Sequence, residues 1–191
     1  MSDDARVVFA ERVECETRRF VEGFVIELGL CPFAKAPWSE GRVEVRVSGA
    51  RDEAELLADL DAEMAHLRGA PARELETSLL VHPHVLADFA AYNDFLDLAD
   101  ALLRERGHEG VLQIASFHPD YRFAGAPSDD PANATNRSPW PMLHLIREAS
   151  ITAAIAAHPD PGGIPARNVE LLRQLGPERV RALLEGLRDG G

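Results

Sequence analysis

The chain has 191 residues, of which 46% are hydrophobic and 27% charged, and a formal net charge of −12. This composition is typical of one globular domain (1–191) that buries a core without disulfides or structural metals. The acidic excess argues against nucleic-acid or anionic-membrane partners, because both need a basic face. Two cysteines make no disulfide framework, and no membrane-length apolar run or signal peptide is visible, so we predict a cytoplasmic protein.

Hydrophobic periodicity predicts alternating helices and strands over the first two thirds of the chain. Apolar residues at three- and four-residue steps predict three helices, at residues 5–28, 56–67 and 85–103. Alternation of valine with charged residues, and two short apolar runs, predict three strands, at residues 42–47, 77–81 and 110–117. Three further helices that begin near prolines are predicted at residues 139–157, 165–175 and 177–187.

This order predicts an α/β fold: a small, mainly parallel three-stranded sheet with crossover helices and a C-terminal helical layer. The charged first strand should lie at an edge, and the second and third strands should be buried. Two His-Pro pairs, at His82 and His118, follow the second and third strands, so both should emerge at the carboxyl edge of the sheet. The predicted core consists of Phe20, Phe24, Leu60, Leu80, Phe89, Leu96, Leu112, Ile114 and Ile146.

The segment 117–148 is the strongest candidate for a functional site. About twenty of its residues lack periodicity, and a long irregular loop in a compact domain is usually functional or disordered. We predict that His118 acts there as a general acid or base, oriented by a carboxylate such as Asp120 or Glu148.

An anion site is predicted where the loop meets the helix expected at 139–157. Ser138 would cap that helix, and the free N–H groups and dipole of a helix start attract anions. Arg137 and Arg147 would add positive charge. Asn136 and Tyr121 complete the predicted ligand-binding set. The alternative is an ordinary capped helix with a solvated arginine.

Two other kinds of site are open. His144 and Glu148, four residues apart on the predicted helix, could join His118 in binding a divalent metal, or could form a structural pair. No dense metal motif such as HExxH supports the metal. Cys31 lies between a helix stop and Pro32, where it is either a reactive thiolate that approaches His118 or His144, or a buried inert thiol.

Several blocks of the sequence resemble one known family. They are LCPFA (30–34), LLVHP (79–83), YNDFLD (92–97), QIASFHPDYRFAG (113–125) and TNRSPWPMLHLIREAS (135–150). Together they resemble the bacterial "domain of unknown function 1415" family over nearly the whole chain. The resemblance implies a family identity but no reaction and no substrate.

The residue types thus predict an enzyme, with hydrolase and transferase both open, that acts on a small anionic molecule. His118, Asp120, Cys31 and Glu148 are the candidate catalytic residues. A divalent-metal protein and a non-catalytic small-molecule binding module are the alternatives. The sequence leaves the cofactor and the oligomeric state open.

Overall fold

The computed structural model describes residues 3–188, which form seven α-helices and one four-stranded sheet. The helices are α1 (Asp3–Phe20), α2 (Lys35–Ser39), α3 (Glu53–Gly69), α4 (Phe89–Glu105), α5 (Glu148–Ala157), α6 (Ile164–Leu175) and α7 (Pro177–Gly186). The strands are β1 (Val43–Val47), β2 (Thr77–Val81), β3 (Leu112–Phe117) and β4 (Met142–Arg147). A π-helical turn, Val21–Ile26, continues α1. Within residues 3–188, no helix is long and apolar enough to cross a membrane.

The sheet is mixed, with strand order β1-β2-β4-β3. β1 and β2 pair in parallel, whereas β4 is antiparallel to both of its neighbours, β2 and β3. β1, β2 and β3 therefore run in one direction, and the segments that follow them emerge at one edge, the carboxyl edge. The α/β class and the edge position of β1 are as predicted. The prediction of a three-stranded, mainly parallel sheet is wrong.

The extra strand lies where the sequence predicts the first half of a helix at 139–157. β4 occupies Met142–Arg147, and α5 begins only at Glu148. A short apolar run fits a buried strand as well as a buried helix, so periodicity cannot decide between them. Pairing decides here, because residues 142–146 have partners on both β2 and β3, and Arg147 pairs with Leu112 of β3. β4 also displaces β3 to the outer edge, where it is only partly buried.

A hydrophobic cluster lies on each face of the sheet. One joins α3 and α4 to the sheet, and the other joins α1, α6 and α7 to the opposite face. Five of the predicted core residues are buried: Phe20, Phe24, Leu60, Leu80 and Leu112. The other four are half-buried: Phe89, Leu96, Ile114 and Ile146.

The helix predicted from residue 85 begins later, at Phe89. Asp88 is its N-cap and accepts a hydrogen bond from the Ala91 N–H at 2.9 Å. Residues 85–87, which precede this cap, are therefore irregular rather than helical. They belong to a segment, residues 82–88, that joins β2 to α4 at the carboxyl edge.

Candidate functional site

His82 and His118 flank the ring of Tyr92 at the carboxyl edge of the sheet. The His82 ring stacks on Tyr92 with centroids 5.8 Å apart, and the His118 ring lies 5.0 Å from the same ring. Both histidines have 0% exposed surface. The strands that carry them run in the same direction although β4 lies between them, so the two His-Pro pairs do share one edge.

Tyr92 ties α4 to the ends of two strands. Its hydroxyl donates a hydrogen bond to the Met142 carbonyl at 2.9 Å and accepts one from the Phe117 N–H at 3.0 Å. Both partners lie at the paired ends of β3 and β4. Tyr92 thereby fixes the position of its ring, and of the two histidines beside it, relative to the ends of β3 and β4.

Replacing Tyr92 with phenylalanine is expected to lower the free energy of unfolding by about 1–2 kcal/mol, because a carbonyl and an N–H lose their partner. Urea unfolding measures the change. Tyr121→Phe is the matched control, since Tyr121 is only half-buried and contacts its neighbours through its ring. An equal loss in both variants would contradict this role for the Tyr92 hydroxyl.

Both histidines form hydrogen bonds with backbone carbonyls of segment 82–88. His82 Nδ1 lies 3.1 Å from the Val85 carbonyl oxygen, and His118 Nε2 lies 3.1 Å from that of Leu86. A carbonyl only accepts, so each of these ring nitrogens carries a proton and donates. Leu86 has a φ of 58°, in the left-handed region that costs a non-glycine residue about 1–2 kcal/mol. The two hydrogen bonds offset part of this strain.

The remaining ring nitrogen of His82 has no partner. Because Nδ1 carries the proton, Nε2 of the neutral ring presents a lone pair. Within residues 3–188, it is the one buried side-chain nitrogen or oxygen atom without a hydrogen bond. Burial lowers the pKa of His82 to about 4, so the neutral form is favoured at neutral pH.

His118, by contrast, is fully hydrogen-bonded. Its Nδ1 accepts from the Asp120 N–H at 3.0 Å while Nε2 donates to Leu86. Burial lowers the pKa of His118, and the nearby charges of Asp120 and Asp88 oppose that shift. The backbone of Asp120, rather than its exposed carboxylate, orients the ring. The free proton acceptor is therefore on His82, which the sequence ranked below His118.

The polar residues of the long loop mostly bind its own backbone. Arg137 donates to the carbonyls of Tyr121 at 3.1 Å and Ser128 at 2.7 Å. Asn136 donates through its side chain to the Ser116 carbonyl at 3.0 Å. Its own carbonyl accepts from the His118 N–H at 3.1 Å. These hydrogen bonds bring Arg137, Asn136 and Tyr121 together in the loop that follows His118 and use them to close it.

The predicted anion site at a helix start near Ser138 does not exist. The segment after Ser138 leads into β4, so there is no helix for it to cap. Its hydroxyl donates instead to the Trp140 carbonyl at 2.6 Å. Arg147 lies at the far end of β4, at the opposite edge of the sheet, together with Glu148. Neither of these two residues shares a site with His118.

The predicted metal site at His118, His144 and Glu148 is also dispersed. His144 pairs with Leu79 and Ala115 in mid-sheet, on the α1 side, and its Nε2 lies 2.7 Å from the Thr77 hydroxyl. Alternation along a strand puts His144 on the opposite face from the two edge histidines. The prediction failed because it assumed helical spacing for residues that are extended.

A different group of potential metal ligands occurs on β1 and α3. Among the described residues, Glu44, Glu63 and His66 have ligand atoms within 4.8 Å of one another. Arg46, however, pairs with both carboxylates, at 2.8 Å from Glu44 and 2.5 Å from Glu63. Its guanidinium already neutralises the charge that would attract a cation, so we read this group as an ion-pair network.

Cys31 lies beside the C-terminal helices. The carbonyl of its neighbour Leu30 accepts from the Asn168 amide of α6 at 2.7 Å, and the Phe33 ring packs on His158. Burial raises the pKa of the Cys31 thiol, although two backbone hydrogen bonds oppose the shift. A raised pKa disfavours the thiolate, so the structure supports the inert alternative.

A cleft of about 420 Å³ opens at the carboxyl edge on the α1 side. It lies between the first turns of α1 and the segment that joins β1 to α3. Its polar lining includes Arg6, Arg51 and His84 together with Glu55. The ring of His84 stacks on Phe9 at 5.0 Å. The cleft therefore contains more positive than negative groups in a chain that is acidic overall.

A family model described as "protein of unknown function (DUF1415)" matches residues 12–182. The chain belongs to the DUF1415 family. The DUF1415 match covers all four strands and both edge histidines, and it begins after Arg6. No curated protein and no solved structure matches the chain.

Sequence reasoning missed three groups that this DUF1415 chain places at the carboxyl edge. Arg51 could have been found, since it follows β1 and the same-edge argument applied to β2 and β3 holds for that strand too. His84 belongs to the same His-Pro-His run as His82. Arg6 gave no signal, because its position in an amphipathic helix does not reveal which neighbour α1 will pack against.

Proposed function

We propose that the protein is an enzyme that acts on a small anionic substrate at the carboxyl edge, with His82 as the residue that exchanges a proton with it. The supporting observation is the unpartnered Nε2 of His82, buried beside Tyr92. Buried polar atoms are seldom left unsatisfied in native proteins, and those that are call for a specific explanation, such as a catalytic role or a bound molecule. A neutral imidazole with a free lone pair is the form a general base requires.

An anionic substrate suits this histidine for an electrostatic reason. With a pKa of about 4, His82 is a weak base at neutral pH. A negative charge brought close to the ring favours the imidazolium and raises its pKa toward the solution pH, where proton transfer is most efficient. Substrate binding would thus strengthen the base that acts on it.

Access to His82 requires residues 83–88 to move. Both edge histidines are completely buried and bonded to carbonyls of these residues, and Leu86 among them is strained. Breaking the hydrogen bonds to Val85 and Leu86 would release that strain and expose the two rings together. His118 would then offer its Nε2–H as a hydrogen-bond donor next to the lone pair of His82.

Turnover of phosphate monoesters and of monoesters of dicarboxylic acids tests the proposal, since both carry an anion next to a hydrolysable bond. His82→Asn should lower turnover on the order of a hundredfold, because it removes the base but keeps a donor for the Val85 carbonyl. His66→Asn, a change of the same kind at a half-exposed residue, is the control. Equal turnover in wild type and His82→Asn, or no turnover of any ester, would reject the proposal.

A non-catalytic binding module is the second candidate. It is favoured by His118, whose two ring nitrogens are both satisfied within the protein. In that case His118→Ala would lower stability, and ligands would bind without being converted. Ligand binding in the absence of turnover would favour this candidate over the first.

A further inference from the structure

We propose that the cleft lined by Arg6, Arg51 and His84 is an oxyanion-binding subsite that anchors the phosphate or carboxylate group of the substrate. This inference rests on the proposed function, but it concerns binding and can be tested without turnover. At about 420 Å³, the cleft falls within the range of small-molecule sites.

Neither arginine of the cleft has an ion-pair partner. Among the described residues, no hydrogen bond or ion pair involves the guanidinium group of Arg6 or of Arg51, and both residues are exposed. The acidic residue among those that line the cleft is Glu55, whose carboxylate accepts a hydrogen bond from the backbone N–H of Arg51 at 2.7 Å. The chain has 32 acidic and 20 basic residues, so most arginines would be expected to find an acidic partner. Two arginines without an ion-pair partner in one cleft stand out against this excess of acidic residues. A bound oxyanion would accept charge-assisted hydrogen bonds from these guanidiniums.

His84 adds a third group that responds to an anion. Its pKa is lowered mainly by burial and secondarily by the positive charge of Arg51. An anion bound between His84 and Arg51 would counter the effect of the Arg51 charge and so raise the pKa of His84. Because Phe9 stacks on the imidazole, the ring is held at the wall of the cleft rather than free in solvent.

At Gly49 the cleft is lined by backbone that a ligand can approach. Ser48 is already committed, since its hydroxyl donates to Asp59 at 2.5 Å and accepts from the Ala50 N–H at 3.0 Å. Gly49, next in the chain, has no other heavy atom within 4 Å of the position a side chain would occupy. The open space at Gly49, which lines the cleft together with the two arginines, leaves room for an oxyanion.

The cleft adjoins the proposed catalytic histidine through the chain itself. His84 follows His82 by two residues, and the two rings stack on opposite elements, Phe9 of α1 and Tyr92 of α4. His84 and His82 therefore face opposite sides of the sheet at the same edge. A substrate whose anionic end is held in the cleft would reach around this edge to place its reacting end at His82.

Isothermal titration with inorganic phosphate and with acetate, at constant ionic strength, tests the subsite and identifies the preferred oxyanion. Each of Arg51→Gln and Arg6→Gln should weaken binding about tenfold, and the double variant should abolish it. Arg51→Lys should retain more affinity than Arg51→Gln. Arg104→Gln, the same charge change in the last turn of α4 at the opposite edge, should bind like wild type.

Binding of neither anion by wild type, or equal binding by wild type and the double variant, would overturn the subsite. The outcome is separable from that of the proposed function. His82→Asn should bind phosphate or acetate normally while losing turnover. Normal anion binding in a protein that converts no ester would retain the subsite and reject the enzyme.

Discussion

Acidification from pH 7 to pH 5 is expected to lower the free energy of unfolding by about 4 kcal/mol through two histidines whose pKa is lowered in the folded chain. Burial lowers the pKa of His82 and of His144 to about 4. In the unfolded chain each titrates near its ordinary value of about 6.5. Between these values the unfolded chain binds protons that the folded chain does not, so stability falls as the pH drops below about 6.5. At pH 5 the loss is about 2 kcal/mol per histidine.

The surroundings of His144 explain why it stays neutral. The Thr77 hydroxyl donates to the Leu145 carbonyl at 2.5 Å, so it accepts from the Nε2–H of His144. This one neutral hydrogen bond offers little compensation for a charge buried in the middle of the sheet. His82 is in a similar position, since its one partner is the neutral carbonyl of Val85.

Urea unfolding at pH 7 and pH 5 measures the effect. The variants His82→Asn and His144→Asn should each show a loss between the two pH values that is about 2 kcal/mol smaller than in wild type. Taking the difference between pH values removes any effect of the substitution itself on packing. If either variant loses as much stability as wild type, that histidine is not responsible for the acid sensitivity.

Arg147→Ala is expected to lower the free energy of unfolding by about 3 kcal/mol. Arg147 donates hydrogen bonds to three backbone carbonyls, those of Leu67, Ala70 and Leu75, at 2.6 Å from Ala70 and 3.1 Å from Leu75. Two of these carbonyls belong to the C-terminal end of α3, where a positive charge also complements the helix dipole. Removing the guanidinium leaves all three without this charged donor.

Chemical denaturation of Arg147→Ala and of the exposed control Arg122→Ala measures this effect. Titration of Arg147→Ala with phosphate addresses the role that the sequence suggested. We expect unchanged affinity, since Arg147 lies at the edge opposite the cleft. A stability change below about 0.5 kcal/mol, or a weakened response to phosphate, would return Arg147 to the list of binding residues.

The two edges of the sheet thus carry buried polar groups of different kinds. At the edge where β4 ends, Arg147 has its hydrogen bonds satisfied by backbone, as expected of a residue that stabilises the fold. At the carboxyl edge, His82 keeps a free lone pair and Leu86 a strained backbone, both of which are features of sites that bind or react. Membership of the DUF1415 family supports neither assignment, so the chemistry of these residues carries the proposals.

Local patterns in the sequence determined most of the secondary structure. The sequence predicts five elements near their observed positions: α3, α6, α7, β1 and β2. Each combines a clear hydrophobic pattern with a cap, a proline or a glycine at its end. The shared direction of the strands before His82 and His118 followed from the helix between them. Recognition of the family likewise rested on short blocks of residues, and the match over residues 12–182 confirms it.

Only the tertiary structure decided the identity of β4 and, with it, the site. The run Met142–Arg147 is apolar enough for either a helix or a strand, and its pairing with β2 and β3 selects the strand. That choice moved Arg147 and Glu148 to one edge and left His118 at the other. The burial of the unpartnered His82 nitrogen and the presence of Arg6 and Arg51 in one cleft depend on contacts between distant segments. Local periodicity does not encode such contacts, because they arise from the packing of α1 and α4 against the finished sheet.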